Sequence, residues 1–162
     1  MTERHPELGG FRRFAIRVLH RYYRLARGMT LGVRAACFDE EGRIFLVRHT
    51  YVPGWYLPGG GVERGETTHE ALVKELREEG NLELVGAPAL FAVYFNNRIS
   101  DRDHVILYRA TVRQTAPRTA DREIAESGFF PLDDLPPDVT GATITRINEL
   151  FQTREISRYW SD

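Results

Sequence analysis

The sequence predicts an α/β sandwich, and three observations carry that expectation. Past Gly28 the apolar residues change from helical to strand spacing, a well-capped helix follows the first strands, and further strand segments lead to a final helix. Strands on either side of a helix, with another helix at the end, pack as layers around one core. At 162 residues the chain has the length of one ordinary domain.

The elements follow in order. Residues 9–28 hold six arginines and no acid, a +6 segment that leaves −7 on the remainder of a chain of formal net charge −1. Phe11, Phe14, Ala15, Val18, Leu19, Tyr22 and Leu25 recur there at helical spacing, with Arg13, Arg17, Arg21 and Arg24 opposite. This makes residues 1–29 a basic amphipathic extension to a domain of residues 30–162. Its expected role is packing on the domain or on a second subunit, giving a homodimer. An anionic membrane surface is the alternative partner, and no nucleic acid is expected. An arginine-rich start also suits a transit peptide, but Glu3 and Glu7 weaken that reading.

Residues 31–38 and 43–49 read as strands around the turn Asp39-Glu40-Glu41-Gly42, hence a hairpin. A loop with Pro53-Gly54 leads to the glycine turn Pro58-Gly59-Gly60-Gly61. The next helix is placed at 68–79. Thr67 is a suitable N-cap with Glu70 three residues on, the reciprocal capping-box pattern. Ala71, Leu72 and Leu76, flanked by Val73, supply the buried side, and Gly80-Asn81 accept the left-handed conformation of a C-terminal cap. Residues 89–95 and 105–112 are further strands around a polar loop, 113–126 an irregular segment, and 128–132 a short strand. The final helix is expected over 143–155, with Ile144, Ile147, Leu150 and Phe151 apolar.

The first of these helices carries the chemistry. At about 100° per residue, Glu75, Glu78 and Glu79 fall within an arc of roughly 100°. Carboxylates so placed repel one another, and a cation resolves the conflict. Carboxylate oxygens are the ligands Mg2+ and Mn2+ prefer, with substrate phosphates filling other positions. The glycine turn lets backbone approach such a ligand closely, since no side chain stands in the way. The same helix holds Lys74, the one lysine in a chain with 21 arginines.

This constellation resembles the Nudix box: Gly, five residues, Glu, seven residues, Arg-Glu-apolar, one residue, Glu-Glu, one residue, Gly-apolar. Here the positions are Gly60, Glu66, Lys74, Glu75, Leu76, Glu78, Glu79, Asn81 and Leu82. Seven of the nine match with unbroken spacing. Asn81 stands for glycine, and Lys74 stands for an arginine whose bidentate fork a point charge does not reproduce. The resemblance implies a mixed sheet between helices. It makes Glu78 and Glu79 metal ligands and Glu75 a further ligand or the base that activates water. It also implies that Gly59 offers its carbonyl to the metal, that Glu66 joins an ion-pair network around Lys74, and that Glu123 or Glu126 supplies a ligand from a loop.

The expected reaction is metal-dependent hydrolysis of the diphosphate linkage in a nucleoside diphosphate joined to another group X, by water attack at phosphorus, with Mg2+ as cofactor and Mn2+ as its substitute. Arg48, Arg98 and Arg102 are candidate phosphate clamps. Trp55, Tyr51, Tyr94 and Phe95 are candidate stacking residues, although aromatics beside strands also serve as core. His49 and His104 read as structural. The signs of the family's ADP-ribose, dinucleoside polyphosphate, coenzyme A and NADH subgroups are absent; Asn97 and Arg98 stand where the first has proline. A nucleotide-sugar, an ADP-ribose-like compound and a nucleoside triphosphate stay open. The competing reading is a non-catalytic domain that binds a nucleotide or a protein partner, and Lys74 with Asn81 is its main support.

Composition fits a soluble domain: 42% of residues are hydrophobic and 28% charged. Cys37 is the sole cysteine, so no intramolecular disulfide forms and a structural thiol in a reducing compartment is expected. No apolar run approaches the ~20 residues that span a bilayer, and the expected location is the cytoplasm.

Overall fold

Strand β1 (Thr30–Phe38) organises the molecule, because it pairs on both sides. It runs antiparallel to β2 (Ile44–His49) and parallel to β5 (Asp103–Gln114), in register from Thr30↔Asp103 to Phe38↔Thr111. With β3 (Leu82–Leu84), β4 (Ala89–Phe95) and β6 (Ile124–Phe130), these form a six-stranded mixed sheet of order β3-β5-β1-β2-β6, in which β4 also pairs with β5. The computed structural model describes residues 28–161 and, ahead of them, the helical residues 16, 18, 19, 21–23 and 26.

The two faces of the sheet explain its composition. Successive side chains of a strand point to opposite faces. Val33, Ala35 and Cys37 of β1 join Phe45 and Val47 of β2 against helix α1 (Thr68–Gly80), which contributes Ala71, Leu72 and Leu76. Ala36, Phe38, Ile44 and Leu46 face the other way, toward Trp55, Leu57, Tyr94 and helix α2 (Gly141–Leu150), which contributes Ile147 and Leu150. The sheet therefore has a helix on each side. Cys37 is fully buried, and burial first, then the charge of Glu79, pushes its thiol well above the ordinary range, as suits a structural group.

Helix α1 shows how local sequence sets its ends. Thr67 accepts from the Glu70 amide while Glu70 accepts from the Thr67 amide at 2.8 Å, a complete capping box. Asn81 ends the helix at φ 51°, and its amide reaches back to the carbonyls of Arg77 and Leu76. Its side chain donates to the carbonyls of Ala116 and Pro117, a tether that glycine does not offer. Val73 is exposed.

Two expectations need correction, and one short strand was not foreseen. Strand β6 begins at Ile124, inside the segment expected to be irregular; pairing with β2 from Ile44↔Phe130 to His49↔Ile124 imposes extension on a stretch whose side chains do not alternate. The three-residue β3 is too short to leave a periodic signal. Helix α2 starts at Gly141 and stops at Leu150, with Phe151 at its cap and 43% exposed, so the apolar face expected to continue to 155 ends earlier.

In the N-terminal segment Ile16, Val18, Leu19, Tyr22 and Tyr23 are exposed. Phe11, Phe14, Ala15, Arg13, Arg17, Arg24 and Leu25 of the expected amphipathic helix lie outside the described residues. Among the described residues no helix is long and apolar enough to cross a membrane.

Candidate active site

The glycine turn lies against β1 and is fixed there by backbone pairing. Val33 and Ala35 donate their amides to the carbonyls of Gly60 and Pro58, at 2.9 and 3.0 Å. Gly59, between them, has φ 140°, and a Cβ there would stand 2.1 Å from the Val33 carbonyl oxygen. Only glycine satisfies both constraints. Gly59 donates its amide to Glu79 Oε2 at 2.7 Å, while its carbonyl takes no backbone hydrogen bond among the described residues. At Gly60 an added Cβ would fall 2.5 Å from Glu75 Oε1, so the turn leaves room for that carboxylate.

Helix α1 presents its acids at graded depth. Glu79 is 4% exposed, Glu75 is partly buried and Glu78 is largely exposed. Burial is the main reason that the Glu79 carboxyl is pushed up to about 7; Arg34 and the Gly59 amide work against the rise, and Glu75 and Glu123 add to it. Glu75 is raised in the same direction, again mainly by burial, with Lys74 opposing. Lys74 Nζ lies 3.3 Å from Glu66 Oε1 and 3.7 Å from Glu75 Oε1, and Glu66 also accepts the Glu63 amide at 2.8 Å. Lysine thus spans the two glutamates as a point charge.

The bend just before strand β6 brings in the second acidic element. Glu75, Glu78, Glu79 and Glu123 line one cavity of about 350 Å3 with Arg118 and Asp121. Arg118 donates to the Glu78 carbonyl at 2.8 Å and pairs with Asp121, whose carboxyl is held well below the ordinary range by that guanidinium and by the amides of Ile124 and Glu123. Glu126 faces Arg48 instead, 3.6 Å away across the β2–β6 ladder.

These donors fit a hard divalent cation. They are oxygen ligands, and two of them, buried Glu79 and partly buried Glu75, have carboxyls raised mainly by burial. Among the described residues no group of three or more His, Cys, Asp or Glu side chains stands at ligand spacing as folded. The four glutamates line a shared space and are not drawn together within it.

Two residues that the sequence left aside also belong here. Arg34, in the middle of β1, donates to the Leu57 carbonyl at 2.9 Å and acts by its charge on Glu75, Glu79 and His49. A cation inside an otherwise apolar strand was the available signal. His49 is buried, its Nε2 3.8 Å from Glu79 Oε1 and its Nδ1 without a hydrogen-bond partner among the described residues. Burial and then Arg34 lower its pKa, which favours the neutral ring beside Glu79. Of the substrate-binding candidates, Arg98 lines a second cavity that Arg34 shares. Arg102 points at Asp101 on an exposed loop. Trp55 is 7% exposed and packs edge-on to Phe130 in the core, and Tyr94 is fully buried, so neither ring is free to stack on a ligand. Tyr51 is exposed and lies against His49, and Phe95 stacks between His104 and Tyr159.

Comparison with known proteins agrees with this geometry. The NUDIX domain family matches residues 28–148. The chain belongs to the NUDIX family. It is 32% identical over 110 residues, 66% of this chain and 73% of the relative, to a Bacillus subtilis (strain 168) protein provisionally named 8-oxo-dGTP diphosphatase. It is 34% identical over 103 residues, 60% of each chain, to an ADP-ribose pyrophosphatase of Methanocaldococcus jannaschii. The chain thus spans about three quarters of the first relative and three fifths of the second. Among solved structures, a MutT NUDIX hydrolase from Burkholderia pseudomallei superposes with a TM-score of 0.63 at 28% identity, covering 75% of this chain and 97% of that one. The chain is a Nudix-type hydrolase.

Proposed function

We propose that the protein hydrolyses the diphosphate linkage of a nucleoside diphosphate joined to a further group, using a divalent cation, Mg2+ or Mn2+. The observation that carries this reading is that Glu75, Glu78 and Glu79 from α1 line one cavity with Glu123, from the bend just before β6, and that Glu79 is tied to the glycine turn. Glu78, Glu79 and Glu123 would hold the cation, with the free carbonyl of Gly59 as a further donor. When bound, such an ion neutralises charge on the diphosphate and acidifies a water molecule.

The chain's own residues supply the rest. The Gly59 amide occupies one oxygen of Glu79 and fixes the carboxylate's direction. Glu75 takes the proton from the attacking water, since the Gly60 position leaves its carboxyl room and Lys74 holds it from the far side. Glu66 anchors Lys74. Arg34 lines a different cavity but acts by its charge on Glu79, and it supplies positive charge to the phosphates. The relatives' names point to 8-oxo-dGTP and ADP-ribose as the first compounds to try.

The test is a panel: Mg2+ with ADP-ribose, nucleotide-sugars and oxidised nucleoside triphosphates, with products identified by mass. Turnover of at least one compound is expected, lost at least 100-fold in Glu79→Gln. Unchanged activity in that variant sinks the site assignment.

A further inference from the structure

A second cavity, about 480 Å3, shares no lining residue with the acidic one. That volume lies within the roughly 300–1,000 Å3 range of small-molecule pockets. Its link to the acidic site is Arg34, which lines it, holds the Leu57 carbonyl two residues before Gly59, and acts by its charge on Glu75 and Glu79. Tyr56 and Leu57 form part of one wall, Arg98 stands at the rim, and Trp160 comes from the far end of the chain. No carboxylate is among the described lining residues, so the cavity offers an anionic ligand cationic and apolar surface without repulsion.

Trp160 is there because the C-terminal segment is strapped down. The Phe95 amide donates to the Arg158 carbonyl at 2.9 Å and the Trp160 amide to the Phe95 carbonyl at 3.0 Å, adding a short parallel bridge at the edge of β4. Beneath it Arg146 and Glu149, both at most 1% exposed, form a 2.8 Å ion pair. Arg146 donates to the carbonyls of Tyr159 and Trp160, at 2.7 and 3.0 Å, and Glu149 accepts the Ser157 amide and the Tyr94 hydroxyl. The indole is partly buried, packing on Tyr94 and Arg146, and Trp160 also lines the cavity. A buried ion pair adds little net stability against apolar replacements. Here every hydrogen bond it makes to the C-terminal segment fixes where Trp160 stands.

We propose that this cavity receives the nucleoside end of the substrate, with the base stacked on Trp160, which is therefore a specificity-determining residue. The inference rests on the diphosphate-hydrolase reading above for the reaction, and on the cavity itself for binding. A planar base suits an indole face and apolar walls. Arg34, at the junction, takes the phosphate next to the nucleoside and leaves the diphosphate over the acidic helix.

The full chain tests this in two ways. Steady-state kinetics on the best substrate of the panel should show KM raised about tenfold in Trp160→Ala with kcat little changed, and nearly normal KM in Trp160→Phe, which keeps an aromatic face. Independently, AMP, GMP or UMP should quench the tryptophan fluorescence of the wild type. The quench should vanish in Trp160→Phe, where Trp55 alone emits, and ribose 5-phosphate should not produce it. Wild-type KM in Trp160→Ala, a quench retained in Trp160→Phe, or equal quenching by ribose 5-phosphate overturns the proposal. If no panel compound is turned over, the reaction reading fails, while the quench still decides the binding site.

Discussion

Lys74 is the residue at which the site departs most from its family's pattern, and its geometry limits what that departure costs. Nζ stands within 4 Å of both Glu66 and Glu75, so the charge balance of an arginine is kept while its two-pronged orientation is not. Lys74→Arg should therefore maintain or raise kcat, whereas Lys74→Met, which leaves two partly buried carboxylates facing each other, should lower it by at least tenfold. Metal-dependent turnover of the three proteins, side by side, checks this; a steep loss in the arginine variant points to a role specific to lysine. The glycine turn gives a second comparison. Gly59→Ala meets backbone at 2.1 Å and a positive φ, and should give little folded protein. Gly60→Ala meets only the mobile end of Glu75, and should fold with a near-normal Tm while kcat falls because the carboxylate has been displaced. A Gly60→Ala protein of full activity refutes the role given to Glu75.

At the scale of elements, α1 was legible because local chemistry alone defines it: a capping box at one end, a left-handed Asn81 at the other, and an apolar side of Ala71, Leu72 and Leu76. The first half of β6 was not, since Ile-Ala-Glu-Ser becomes extended only through its ladder with β2, a partner more than seventy residues away. Arg34 and His49 escaped for a related reason: their importance comes from which helix packs over their strands, and a strand's own sequence does not contain that. The helix's buried acid has a consequence for stability. In the metal-free protein the Glu79 carboxyl titrates near 7, against an ordinary value of 4.5. The folded state then binds the extra proton, so stability is greatest below about 4.5 on this account and declines as pH rises toward 7. Arg34, the Gly59 amide, Glu75, Glu123 and His49 surround the group. At about 1.4 kcal/mol per pH unit the loss is bounded near 3 kcal/mol. Urea denaturation between pH 5 and 8 should show the decline in the wild type with EDTA and a much flatter curve in Glu79→Gln or with saturating Mg2+. A slope that Glu79→Gln leaves unaltered assigns it to another group.

Across the whole molecule, two sheet faces each carry a helix, and the face under α2 is where sequence reading fell furthest behind the structure. Ile147 and Leu150 were legible as apolar positions; Arg146 and Glu149, each the residue just before one of them, had the composition of a solvated surface. They are buried because the C-terminal segment folds back across α2 and lies along β4, a long-range contact that covers two charges only by pairing them with each other and with its own backbone. Such a pair is costly to halve and cheap to replace whole. Glu149→Ala should destabilise the protein by about 3–5 kcal/mol, leaving the Arg146 guanidinium without its carboxylate, while Arg146→Met combined with Glu149→Leu should cost less than the single change. Denaturant midpoints measure both. The double variant also separates stability from position: it keeps an apolar core under α2 but abolishes every side-chain hydrogen bond from the pair to Ser157, Tyr159 and Trp160. Its KM should rise toward that of Trp160→Ala even where its midpoint recovers. A double variant with recovered stability and wild-type KM shows that the β4 bridge alone suffices to place the indole.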